Sequence, residues 1–154
     1  MVADNAIATA PDSLPALRRT VLQVLSTIPA PHTPVVMDRL PVDDGGQLTQ
    51  QAAHKGVVLS FPASTARDDD RARDLVRVNE ELRITGMRRV RPMDQGMSLD
   101  DAWAWEEIVA STIRNAALLR RFAPLYRGSV RATAATSNEW WVFTMTFQLT
   151  REIR

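Results

Sequence analysis

Residues 138–154 read NEWWVFTMTFQLTREIR. Taken by twos, Trp141, Phe143, Met145, Phe147 and Leu149 form one set, and Val142, Thr144, Thr146, Gln148 and Thr150 lie between them. This alternation predicts a β-strand with one dry face and one wet face. The stretch begins with two adjacent tryptophans, Trp140 and Trp141. A strand sends neighbouring side chains to opposite sides, so one of the two is expected to lie outside the monomer's own core.

Upstream of this strand, Val130, Ala132 and Ala134 begin another extended segment, and Ser137-Asn138 supplies the turn of a hairpin. Before it, Ser98 opens a helix whose first turn carries Asp100 and Asp101, suited to the helix dipole. Its inner stripe is Ala102, Trp105, Val109, Ile113 and Ala116, and it is expected to run to about Leu119. From Val76 to about Val90 apolar and polar residues alternate, with Glu80 and Gly86 on the apolar side, which suggests a bulge there. Lys55 to Phe61 reads as an apolar strand, and Pro34 to Leu40 as a short extended run. Near the start, Ser13 caps a helix with Pro15 in its first turn, and Leu14, Leu17, Val21, Val24, Leu25 and Ile28 share one stripe. The expected class is α+β, a mixed or antiparallel sheet with two helices packed on it, in the order α-β-β-β-α-β-β. Residues 1–12 are expected to be a flexible tail and 13–154 a single domain.

Two segments lack apolar periodicity and are expected to be long, mobile, partner-binding loops. Pro41 to Ala53 contains Asp43, Asp44, Gly45 and Gly46, and Pro62 to Asp74 contains Arg67, Asp68, Asp69, Asp70 and Arg71.

The chain has 154 residues, 45% of them hydrophobic, which suits one domain with a real core. It has no cysteine, which removes disulfides, thiolate nucleophiles and Cys-based metal sites. No segment approaches the ~20 apolar residues of a membrane span, so no membrane partner is expected. The net charge of +1 provides no single-sign field for nucleic acid or an anionic surface. Lys55 is the only lysine, so nearly every cation is an arginine, a side chain suited to carboxylate pairing and subunit interfaces. A GC-rich genome would give the same bias.

Catalytic chemistry finds little support. His32 and His54 have no partner at metal-ligand spacing, and Asp68-Asp69-Asp70 lacks the alternating oxygens and glycine of a calcium loop. Gly45-Gly46 has no phosphate-loop context, and no serine sits in a G-x-S-x-G setting. The reading is a non-enzyme with no cofactor and no metal. Between Arg67 and Arg91, eight arginines are interspersed with six acids, a pattern of solvated faces or inter-subunit salt bridges rather than a phosphate stripe. Only Arg88, Arg89 and Arg91 are uninterrupted by acids. Trp103 and Trp105 stand about 200° apart around a helix, so one core cannot comfortably take both. Trp103, Trp140, Arg88, Arg89 and Arg91 are therefore the candidate interface residues.

The succession LPALRRTVLQVL, VVLSFPAS, EELRITGMRRVRP, SLDDAWAWEEIV and NEWWVFTMTFQLTREI resembles the lambda-type minor tail protein that terminates the tail tube of siphophages. The likeness is one of pattern, spread over most of Leu14 to Ile153, and other phage head–tail joining proteins share related small α+β folds. The resemblance implies a structural virion protein of the tail, assembled in the host cytoplasm. It implies a homo-oligomeric, hexameric ring on the tube, with the major tail tube protein and the head–tail connector as partners and no specific nucleic acid. The two long loops depart from the family pattern.

Overall fold

The computed structural model describes residues 13–45, 48, 49, 51–66, 76–90, 99–131 and 140–153. The elements are α1 (Leu14–Ser26), β1 (Val35–Met37), β2 (Lys55–Ala66), β3 (Val76–Arg89), α2 (Leu99–Asn115), a 3-10 turn (Ala117–Phe122), β4 (Leu125–Arg131) and β5 (Trp140–Ile153). The strands form one mixed sheet in the order β1-β2-β3-β5-β4. Only β1 and β2 run parallel; every other neighbouring pair is antiparallel. The fold is α+β, as the periodicities predict.

The sheet is built on its two longest strands. β3 and β5 pair without interruption from Val76↔Ile153 to Arg89↔Trp140. This register places Leu82, Ile84, Phe143, Met145, Phe147 and Leu149 on one face, and both helices lie against it. Helix α1 starts where Ser13 accepts the Ala16 N–H at 3.2 Å, and it buries Leu17, Val21, Val24 and Leu25. Helix α2 buries Ala102, Trp105, Val109 and Ile113 in the same core. It ends at Asn115, four residues short of Leu119, and the chain tightens into the 3-10 turn that buries Leu119 and Phe122.

No bulge interrupts β3. Gly86 has no side chain because the Phe143 ring lies on it: a Cβ there would come within 2.2 Å of the ring. Glu80 stays in line and is buried among partners described below. The irregularity falls instead on β2, where the register with β3 slips between Ser60 and Ala63. Phe61 and Pro62 together stand opposite Leu82, so the proline, which has no N–H to donate, occupies a bulge. As a result β2 does not end at Phe61. It continues to Ala66 and pairs as far as Ala66↔Val78, so the first five residues of the supposed loop from Pro62 to Asp74 are strand. Arg67 to Asp74 lies outside the described residues, as do Arg91, Ser98 and the expected turn at Ser137-Asn138.

The second face of the sheet is covered at one end. The chain between β1 and β2 packs Leu40, Leu48 and Ala52, together with Met37 and Val58, on Met87, Trp140 and Val142. Val42 and Leu48 form an antiparallel bridge, and the Thr49 N–H donates to the Pro41 carbonyl at 2.8 Å. The segment from Pro41 to Ala53 therefore has apolar anchors, which corrects the expectation of a free loop. Leu48 and Ala52 supply them, even though their spacing follows no helix or strand period.

Candidate interaction surface

The β5 strand gives each tryptophan a home inside the monomer. Trp141, 9% exposed, faces the helices, and Trp140, 8% exposed, faces the segment from Met37 to Ala52. This corrects the placement expected for Trp140: the sheet has apolar cover on both sides at that end, so neither residue is forced outward. Arg89 lies over the Trp140 ring, 5.9 Å from its centroid, and its amide N–H donates to the His54 carbonyl.

Arg88 is also inside, 4% exposed on the helix-facing side. Its guanidinium lies 5.9 Å from the centroid of the Trp105 ring and donates to His32 Nδ1 at 3.4 Å, while the Trp105 indole N–H donates to the His32 carbonyl at 2.9 Å. Burial pushes the Arg88 pKa below the usual guanidinium range, and the Asp101 carboxylate pulls the other way. Burial, and then the nearby Arg88 charge, lower the pKa of Lys55. The run of arginines around residue 88 is thus not one surface patch. Strand alternation sends Arg88 under the helices and Arg89 to the opposite face.

Two buried carboxylates hold the elements together, and the interface candidates included neither. Glu106, 3% exposed on α2, accepts from Ser129 Oγ at 2.6 Å, Arg131 Nε at 3.1 Å and Trp141 Nε1 at 3.2 Å, which ties the helix to β4 and β5. Glu80, 1% exposed, accepts from the Ser64 hydroxyl and from Arg151 Nε at 2.7 Å, which joins β2, β3 and β5. Both residues fall on apolar stripes in the sequence, Glu106 four residues after Ala102 and Glu80 two before Leu82. A charge on a dry stripe was the available signal. Each carboxylate is surrounded by donors from neighbouring elements and so clamps them together. Among the described residues, no group of three or more His, Cys, Asp or Glu could hold a metal ion. None of the described helices is long and apolar enough to cross a membrane.

The open apolar surface lies elsewhere. Trp103 on α2 is 45% exposed and stands edge-on to Trp141 at 6.0 Å, with Leu99 exposed one turn before it. At the β1 end of the sheet Val35, Val36 and Val42 are exposed, and at the β4 end Leu125, Tyr126 and Val130. Asp43, Asp44 and Gly45 form an exposed turn, in which Asp43 Oδ1 accepts the Gly45 N–H at 2.9 Å. Of the other loop candidates, Gly46, Arg67, Asp68, Asp69, Asp70 and Arg71 lie outside the described residues. Of the five interface candidates, Trp103 is a surface residue, Arg89 is half-buried, Trp140 and Arg88 are interior, and Arg91 is not described. Compared with known protein families and with curated proteins, the sequence matches none.

Proposed function

We propose that this chain is a structural subunit of a siphophage tail, a terminator that assembles into a ring on the end of the tail tube. The ring stops addition of tube subunits and offers its other side to the head–tail connector. The observation that carries the reading is the distribution of exposed apolar side chains, which cluster at both ends of one sheet and around Trp103 on α2. A subunit that meets a copy of itself on each side and a different protein on a third surface needs such a distribution. The order of elements adds support, because it follows the pattern on which the resemblance to tail terminators rests. The hexameric ring and the place in the virion come from that resemblance.

The test is assembly with tail tubes. Purified protein is added to polymerising major tail tube protein, and the tubes are measured by electron microscopy. Rings on tube ends and tubes of arrested length are expected. Unrestricted tube growth beside unattached protein would overturn the reading. An alternative within the same class is another head–tail joining protein, which would bind the connector and leave tube length unchanged. A small ligand- or nucleic-acid-binding module on Arg88, Arg89 and Arg91 is disfavoured by the burial of Arg88, whose guanidinium cannot reach a phosphate without unseating α2.

A further inference from the structure

We draw no further inference here: the strongest candidate, the surface patch on the outer face of α2 where Leu99 and Trp103 stand exposed beside Asp100 and Glu107, carries nothing because nothing in the structure shows what covers it.

Discussion

Replacing Gly86 with alanine tests the packing on which the central ladder depends. A Cβ at this position would stand 2.2 Å from Phe143 Cζ and 2.6 and 2.8 Å from Cε1 and Cε2, where ordinary contact begins near 3.4 Å. The ring must retreat by more than 1 Å. It is fully buried, and the Trp105 ring stands behind it at 5.6 Å, so retreat disturbs α2 as well. Overpacking of this kind costs about 1–3 kcal/mol, and lower backbone entropy in the unfolded chain returns about 0.4–1 kcal/mol. A net loss of about 1–2 kcal/mol is expected, read as a fall in urea midpoint of about 0.5–1 M. Phe143→Leu removes the atoms that clash, so in the double variant Gly86→Ala should cost far less, with a coupling of at least about 1 kcal/mol between the two sites. Gly86→Ala within about 0.5 kcal/mol of wild type, or a double variant whose losses simply add, would refute the account of this glycine.

Trp140→Ala should destabilise the fold by about 3–5 kcal/mol, whereas Trp103→Ala, which removes a half-exposed ring and one edge-on contact, should cost less than about 2 kcal/mol; thermal melts that rank them the other way contradict the assigned faces. Glu106→Ala leaves the Trp141 indole N–H and the Ser129 hydroxyl without their acceptor and is expected to cost about 2–3 kcal/mol. Amide exchange should accelerate in β4 more than in β2, and equal acceleration would show that Glu106 does not tie β4 down. Lys55 has a lowered pKa in the folded chain, so between that value and its ordinary 10.5 the unfolded chain binds more protons and stability rises with pH. Lys55→Met should be at least as stable as wild type near neutral pH, with an advantage that shrinks as the pH approaches 10.5; a constant difference would refute the coupling.

Where a segment had one dry side, its residues were enough to place it. Leu17, Val21, Val24 and Leu25 marked α1, and the alternation in β3 and β5 gave their lengths nearly to the residue. Alternation could not say how many apolar surfaces the finished sheet would have. It puts Trp140 outside only on the premise of a single core, and that premise fails because Met37, Leu40, Leu48 and Ala52 fold over the second face. Those four residues follow no regular period, so their role depends on where the chain returns in space. Pro62 ended β2 too early for a related reason: a proline reads locally as a terminator, but its tolerance in a bulge depends on the partner strand. At the candidate surface, Trp103 was legible from helical geometry. The β4 edge was not, because Leu125, Tyr126 and Val130 acquire meaning only once β4 is known to lie at the margin of the sheet.

The unbroken β3·β5 ladder also governs how the chain reaches its native state. Its partners range from Arg89↔Trp140 to Val76↔Ile153, so α2, the 3-10 turn and β4 all lie in the intervening chain. The entropy of closing so long a loop must be met before the ladder returns any hydrogen bonds. The β4–β5 hairpin, closed by the short segment 132–139, is the cheaper first step, and β3 then adds to a strand already aligned by its neighbour. Folding dominated by such distant pairings belongs to the millisecond-to-second regime rather than the microsecond one. Until β3 docks, β5 exposes an unpaired edge beside its row of large apolar residues, so the interval before docking is when newly made chains are most prone to join one another incorrectly.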